Sequence, residues 1–359
     1  MQKTILISGA TGHIGSQLCK YYLARDYRVI GLKRRTSLIC TDRINDVYEH
    51  PNFKLEYFDL TDSNSIWTLL LRYYPNYFIN AAAQSHVKVS FDLTESTVDV
   101  VANGVLRILD ACRVVVPNIR FFQFSSSEMM GNSPPPQNEL TPFDPQSPYA
   151  CAKIFSFYLV KNYRRAYKMF ASNGILFNTE GETRGETFVT KKITQAVAKI
   201  KFGKQNCLYL GNVNAKRDWL HVDDSIDAID RIINYSVPDD FVIASEQSHS
   251  VKEFCDLAFK CANLGELEWE DSPVQARIGD KIVVKTSEKY LRPSEVHELR
   301  GDASKIKNVL KWEPKISFEQ LVQRMVDFDI KEEMIRDKQI QPFIHMKQHT
   351  HNQRRSMCD

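Results

Sequence analysis

Short apolar runs alternate with amphipathic stretches along the first half of this chain. Thr4-Ile5-Leu6-Ile7-Ser8 is a continuous β-branched and aliphatic run, the kind buried on both faces of a parallel sheet. Next, Leu18, Tyr22 and Leu23 fall on one side of an expected helix from about Ser16 to Arg25, and Tyr27 to Leu32 reads as a second strand. The alternation continues with a strand from Lys54 to Asp59, a helix from Ser63 to Tyr73 and a strand from Tyr77 to Ala82. A long helix from Val98 to Arg113 and a strand from Arg120 to Phe124 follow. This order predicts an α/β fold built on a doubly wound parallel sheet, whose ligands sit beyond the carboxyl ends of the strands. Asp59-Leu60, Ala81 to Ser85 and Ser125-Ser126-Ser127-Glu128 all stand at such ends. Past Asn178 the pattern turns irregular and polar. The expected division is a dinucleotide-binding domain over 1–175, with later returns near 215–245, and a smaller mixed α/β lobe over 176–337. From Lys338 the periodicity is lost and Gln, His, Lys and Arg dominate, so 338–359 is expected to be a disordered tail. No internal repeat is found.

Chemistry enters at the first strand end, where Gly9-Ala10-Thr11-Gly12-His13-Ile14-Gly15 joins strand to helix. Glycines permit the tight turn and the close approach of a pyrophosphate, which the free N–H groups of the helix N-terminus then stabilise, as in a Rossmann fold. The G-x-x-G-x-x-G spacing differs from the G-x-G-x-x-G of ordinary dehydrogenases. At the end of the second strand, where a carboxylate ordinarily binds a ribose 2′-hydroxyl, stands Lys33-Arg34-Arg35. A guanidinium suits a 2′-phosphate, so the expected cofactor is NADP. Further on, Ser147-Pro148-Tyr149-Ala150-Cys151-Ala152-Lys153 reads as a capped helix start, with Ser147 as N-cap and Pro148 in the first position. Tyr149 and Lys153 then share a face, and the Lys153 ammonium is expected to stabilise phenolate and draw the Tyr149 pKa towards neutrality, making it a usable acid/base. A Tyr-x-x-x-Lys spacing also occurs on ordinary exposed helices.

Composition leaves these readings intact and removes others. The 359 residues are 43% hydrophobic and 25% charged, with net charge +3. So near a balance, the chain is not expected to bind nucleic acid. Its eight cysteines, at 19, 40, 112, 151, 207, 255, 261 and 358, show no metal-ligand spacing, so they read as free thiols with no metal implied. No apolar stretch is long enough to span a membrane and the first residues do not resemble a signal peptide, so a cytoplasmic protein is expected.

Ordered marks along the chain then carry a specific resemblance. They are Gly31-Leu32-Lys33-Arg34-Arg35 with Arg43-Ile44, Ala82-Ala83-Gln84-Ser85-His86-Val87 and Ser125-Ser126-Ser127-Glu128. Gly174-Ile175-Leu176-Phe177-Asn178, Arg184-Gly185-Glu186-Thr187-Phe188-Val189-Thr190, Ala215-Lys216-Arg217-Asp218-Trp219 and Leu291-Arg292-Pro293-Ser294-Glu295-Val296 complete the set. From Lys3 to about Phe328 the chain resembles the extended short-chain dehydrogenase/reductases and, within them, the GDP-mannose 4,6-dehydratases. The resemblance implies a lyase that converts GDP-mannose to GDP-4-keto-6-deoxymannose by internal hydride transfer through tightly bound NADP. It assigns Tyr149 the proton of the sugar 4-hydroxyl, Lys153 the nicotinamide ribose, Ser126 the O4 atom, and Glu128 the C5 proton and the departing 6-hydroxyl. For the cofactor it implies Gly9, Thr11, Gly12, His13, Ile14, Gly15, Arg34, Arg35, Asp59, Leu60, Ala81, Ala82, Ala83, Ser85, Tyr149, Lys153 and Arg184. For GDP-mannose it implies Ser85, Ser126, Glu128, Asn178, Lys192, Arg217, Arg292 and Glu295. It also implies a homodimer or homotetramer in which Lys33 to Asp42 reaches a neighbour's cofactor site.

Without the resemblance, Ser126 and Glu128 read equally as caps of a strand-end turn, and Arg217 and Arg292 as surface ion-pair residues. The chain also departs from the family pattern at Ser126, where Thr is usual, and at Ser96, Thr179, Thr183 and Leu220-His221. A nucleotide-sugar 4-epimerase, a dehydratase of a related GDP-sugar and an NADP-binding regulator are the alternatives. Glu128 argues against the epimerase, and the complete acid/base set against the regulator.

Overall fold

The computed structural model describes the backbone of residues 2–355 and the side chains of residues 2–338. In chain order the elements begin β1 (Thr4–Ser8), α1 (His13–Leu23), β2 (Arg28–Lys33), β3 (Phe53–Tyr57), α2 (Ser63–Tyr73) and β4 (Tyr77–Asn80). Next are α3 (Val89–Asp92), α4 (Thr94–Val98), α5 (Gly104–Val115), β5 (Arg120–Ser126), α6 (Pro148–Tyr167), β6 (Phe170–Leu176), β7 (Asn178–Glu180) and α7 (Val189–Lys201). The chain continues with β8 (Leu208–Leu210), β9 (Lys216–Arg217), β10 (Trp219–His221), α8 (Val222–Asn234), β11 (Asp240–Ile243), β12 (His249–Ser250) and α9 (Val251–Cys261). It ends with β13 (Glu268–Asp271), β14 (Val274–Ile278), β15 (Lys281–Thr286), α10 (Ser304–Leu310) and α11 (Phe318–Arg355).

Two compact units result. The first comprises Met1–Gly185, Asn214–Ser250 and Leu291–Phe318. Compared with the boundary drawn from sequence at 175/176, it takes in 176–185 and the 291–318 segment as well. Its sheet has seven strands in the order β11-β6-β5-β4-β1-β2-β3, every neighbouring pair parallel. Successive side chains of β1 serve opposite faces, as a pleated strand requires. Ile5 and Ile7 enter a core with Leu18 and Tyr22 of α1 and Ile226, Ile229, Ile232 and Ile233 of α8. Leu6 enters the opposite core with Ile66, Leu69 and Leu70 of α2 and Ile108 and Leu109 of α5. The inner strands are covered on both faces and read as apolar runs, whereas β3 at the sheet edge keeps the alternation Phe53-Lys54-Leu55-Glu56-Tyr57, with Lys54 and Tyr57 exposed.

Local signals explain most boundaries. Asp62 caps α2 through Asn64 N (3.0 Å) and Ser65 N (3.2 Å), and Ser147 caps α6 through Ala150 N (3.1 Å). The long helix expected from Val98 to Arg113 is instead divided into α4, a π-helical turn over Asp99–Asn103, and α5. Arg107 accounts for the interruption: its guanidinium donates to Asp99 Oδ1 (2.8 Å) and to the Leu60 carbonyl (3.0 Å). Gly104 faces Leu60 so closely that a Cβ there would lie 2.8 Å from the leucine Cβ. A tertiary contact to the β3 end thus overrides local period, as π-turns near functional sites often do.

The second unit comprises Glu186–Val213, Val251–Tyr290 and Glu319–Asp359. Its sheet, β13-β14-β15-β8, is antiparallel except for the β15–β8 pair. A buried ion pair anchors it: Lys191 Nζ of α7 lies 2.6 Å from Asp329 Oδ1 of α11, and Thr194 Oγ1 donates to Asp329 Oδ2 at 2.6 Å. The disordered tail expected from 338 is corrected as far as Arg355, because α11 continues to that residue. An already nucleated helix propagates readily through Gln, Lys, Met and Arg, and α11 runs on past Pro342, where proline removes one backbone donor. The remainder of that expectation, 356–359, lies outside the described residues.

Candidate active site

At the carboxyl end of β1 the backbone is packed to its limit. Gly9 has φ +68°, and a Cβ on Gly15 would stand 2.1 Å from the Gly9 carbonyl oxygen, so no other residue fits there. Gly12 N donates to Gly9 O (2.9 Å), and no side chain caps the N-terminus of α1. That leaves the first-turn N–H groups for an anionic ligand, the arrangement a dinucleotide pyrophosphate needs. A second sign is His13, 8% exposed, whose Nε2 is buried without a hydrogen-bond partner among the described residues. The residues present therefore fit a dinucleotide. Ala82 N donates to Ser8 Oγ (3.0 Å) beside this turn, Leu60 is buried beyond β3, and Asp59 Oδ1 accepts from Thr61 N (3.0 Å). Arg34 and Arg35 follow β2 and are exposed, Arg35 lying over the Tyr57 ring at 5.9 Å.

Four residues expected to be catalytic meet at the end of β5 and the start of α6. Ser126 closes β5 and its Oγ accepts from Glu128 N (3.2 Å), which fixes the turn carrying Glu128. Tyr149 and Lys153 lie one turn apart on α6, 7% and 3% exposed. Here one expectation is corrected. Lys153 does not draw the Tyr149 pKa down: its Nζ stands 5.6 Å from the centre of the Tyr149 ring and donates to the Phe124 carbonyl at 2.6 Å. Burial instead pushes the phenol up to about 12, with the Glu128 charge adding to the rise and Ser126 and Arg184 opposing it. Burial also lowers the Lys153 ammonium to about 8. Both groups are taken from water, and desolvation is the leading cause of both shifts.

A chain of charges runs outward from Glu128. Arg292 Nη1 is 3.4 Å from Glu128 Oε1 and 4.0 Å from Glu295 Oε1, and Arg217 Nη2 is 3.2 Å from the same Glu295 oxygen. Arg217 is only 6% exposed, which rules out a surface ion pair for it. Burial lowers its pKa, partly offset by Glu128. Asn178 begins β7, and its N–H donates to the Asp218 carbonyl (3.0 Å) next to Arg217. Ser85 is exposed beyond β4. Lys192 lies on α7 of the second unit, its Nζ 3.2 Å from the centre of the Tyr290 ring.

Sequence alone assigns no contact to two residues of the site, although Thr183 stands among the family departures near the nicotinamide. Arg43, quoted there only within a family mark, donates from Nε to the Thr183 carbonyl (2.8 Å) and from Nη1 to the Thr11 carbonyl (3.4 Å). Thr183 bonds His13 Nδ1 through its hydroxyl at 2.9 Å. Only tertiary structure brings 11, 43 and 183 together; the glycine motif marks Thr11, and no local pattern ties Arg43 or Thr183 to it.

The sequence profile of the family GDP-mannose 4,6 dehydratase matches residues 6–325. A GDP-mannose 4,6 dehydratase 2 of Caenorhabditis elegans is 48% identical over 92% of this chain and 89% of its own. GDP-mannose 4,6 dehydratase of Homo sapiens is 42% identical over 90% of this chain and 91% of its own. Among solved structures, a dTDP-glucose 4,6-dehydratase from Bacillus anthracis in complex with NAD is similar with TM-score 0.77 at 22% identity, covering 92% of this chain and 98% of that one. A UDP-glucose 4-epimerase from Thermotoga maritima with UDP-glucose gives 0.78 at 21%, covering 92% and 99%. At such identities these two speak for the fold alone.

Proposed function

The chain belongs to the GDP-mannose 4,6-dehydratase family, an NADP-dependent group of nucleotide-sugar hydro-lyases, and from that premise we propose how its own residues turn GDP-mannose into GDP-4-keto-6-deoxymannose. The observation that carries the assignment of roles is Glu128 beside Tyr149 and Ser126 at one strand end. A simple C4 epimerisation has no use for that carboxylate; an elimination does.

Gly9, Thr11, Gly12, His13, Ile14 and Gly15 hold the cofactor pyrophosphate, with Asp59, Leu60, Ala81, Ala82, Ala83, Ser85 and Arg184 around the rest. Arg34 and Arg35 take the 2′-phosphate. NADP, when bound, supplies the oxidation of the sugar at C4 and the later reduction at C6. Tyr149, a phenol of raised pKa in the ligand-free fold, would take the proton of the 4-hydroxyl once the cationic nicotinamide of bound NADP joins Ser126 and Arg184 in favouring its phenolate, while Ser126 Oγ hydrogen-bonds O4 and steadies its developing charge. Lys153 holds the nicotinamide ribose. With C4 a ketone, the C5 proton becomes acidic, and Glu128 removes it and passes a proton to the 6-hydroxyl, which departs as water; C5 then regains a proton from Tyr149, one that exchanges with solvent. Arg217 and Arg292, kept in place by Glu295, face the diphosphate and nucleotide ribose, joined by Asn178, and Lys192 is a further candidate for the nucleotide sugar by its place in the family pattern.

Seven described cysteines are free thiols, which supports a cytoplasmic protein. None of the described helices is long and apolar enough to cross a membrane. Leu38 and Ile39, 76% and 84% exposed within the segment after β2, support a homodimer or homotetramer joined there. The assignment of roles is tested by Glu128→Gln: dehydration slowed by at least ~100-fold supports it, and a wild-type rate removes Glu128 from the chemistry.

A further inference from the structure

We propose that Thr183 is a positioning residue of the cofactor site, tying the loop that carries Arg184 to the glycine turn through His13 and Arg43. This inference rests on the glycine turn being the dinucleotide site and extends that reading to the 181–185 loop. Thr183 is held at both ends. Its hydroxyl bonds His13 Nδ1 at 2.9 Å and its carbonyl accepts from Arg43 Nε at 2.8 Å, while Arg43 Nη1 also reaches the Thr11 carbonyl at 3.4 Å. One arginine thus spans the glycine turn and the 181–185 loop, and one histidine, the first residue of α1, does the same from the other side.

Packing makes the tie specific. A Cβ on Gly181 would lie 3.1 Å from His13 Cε1 and 3.1 Å from Val222 Cγ1, so the loop presses against the imidazole with no room to spare. Arg184 N closes the loop onto the Gly181 carbonyl (3.1 Å), and the Arg184 guanidinium is set by Glu180, Nε to Oε2 at 3.0 Å. Burial, with the positive charges of Arg184 and Arg43, keeps His13 well below its usual pKa, while the Glu180 backbone acts weakly the other way. The imidazole is therefore neutral and able to donate from one nitrogen and accept at the other. Arg184 stands within electrostatic reach of the Tyr149 phenol and favours its ionised form. A loop held to the glycine turn consequently fixes, in one stroke, the wall of the pyrophosphate site and the cation that assists the catalytic tyrosine.

The test uses Thr183→Val, which keeps the volume and the carbonyl but loses the hydroxyl, and Thr183→Ser, which keeps the hydroxyl. NADPH release from the full-length protein is followed by fluorescence, alongside Tm and the kcat and KM for GDP-mannose. Thr183→Val is expected to release NADPH about tenfold faster, the worth of one hydrogen bond of the stronger kind. With it kcat falls while KM for GDP-mannose and Tm hold, and Thr183→Ser restores wild-type release. Should Thr183→Val fail to fold, Thr183→Ala serves, since it loses the same hydroxyl, and the same fast release is expected. Wild-type release in Thr183→Val, or in Thr183→Ala where that variant stands in, overturns the proposal. So does fast release that Thr183→Ser shares, or that appears only with a matching drop in Tm. Because release is read without turnover, a failure of the dehydratase reading shows separately, as absence of keto-sugar product from wild-type protein.

Discussion

Lys153 Nζ donates to the Phe124 carbonyl at 2.6 Å, a buried ammonium turned towards the sheet rather than to the Tyr149 hydroxyl four residues earlier on the same helix. Its pKa falls from 10.5 to about 8 because burial disfavours the charged form. The folded protein thus binds this proton less firmly than the unfolded chain does. The charged lysine weakens the ligand-free fold below pH 8, and the penalty is relieved as pH rises through 8 to 10.5. That displacement is worth ~3 kcal/mol. Lys153→Met is therefore expected to stabilise the ligand-free protein at pH 7, by less than ~3 kcal/mol because the Phe124 bond goes too, and to abolish activity. Urea unfolding at pH 7 and pH 10.5 checks this; a gain that fails to shrink at the higher pH contradicts it.

Arg292 is shared between Glu128 and Glu295, and it is also the residue assigned to the substrate diphosphate. Removing it should weaken GDP-mannose binding and leave Glu128 without its closest cation. Arg292→Ala is expected to raise KM by at least tenfold, ~1.4 kcal/mol, and to lower kcat as well, with Tm little changed because the residue is 28% exposed. Steady-state kinetics with an unchanged KM would remove Arg292 from the substrate site.

Cofactor choice turns on Lys33, Arg34 and Arg35. NADPH is expected to bind at least tenfold more tightly than NADH, ~1.4 kcal/mol, and Arg34→Ala to erase most of the difference. Equal affinities in a titration of wild-type protein refute it.

Assembly is expected through the same segment. Light scattering at micromolar concentration should give a dimer or tetramer, and charges placed at Leu38 and Ile39 together should shift it towards monomer. A wild-type monomer with full activity would sink this.

Much of the architecture was legible because the inner strands of the seven-stranded sheet are covered on both faces and α1, α2 and α5 are amphipathic: Thr4–Ser8 and Ser63–Tyr73 agree with the sequence reading to the residue. The glycine turn and the capped start of α6 were legible for the same reason, since backbone geometry dictates residue type locally. What escaped depends on contacts distant in sequence. The π-turn at Asp99–Asn103 answers to Arg107 and Leu60, and the lacing of Thr183 to Arg43 and His13 joins three separate segments. The Tyr149 pKa was misread because spacing on a helix reveals proximity to Lys153 but not the depth of burial, and burial decides the sign.

The central claim is an elimination begun at C4 and carried through by Glu128, and it is tested most directly by the fate of GDP-mannose in deuterium oxide. Wild-type protein is expected to give GDP-4-keto-6-deoxymannose with one solvent deuterium at C5, read by mass spectrometry and NMR. Glu128→Gln should instead stop after the first oxidation with NADPH accumulated on the protein, and Tyr149→Phe should form neither NADPH nor product. A product that keeps its 6-hydroxyl and carries no solvent label, or a Glu128→Gln variant that dehydrates GDP-mannose at the wild-type rate, would contradict the account.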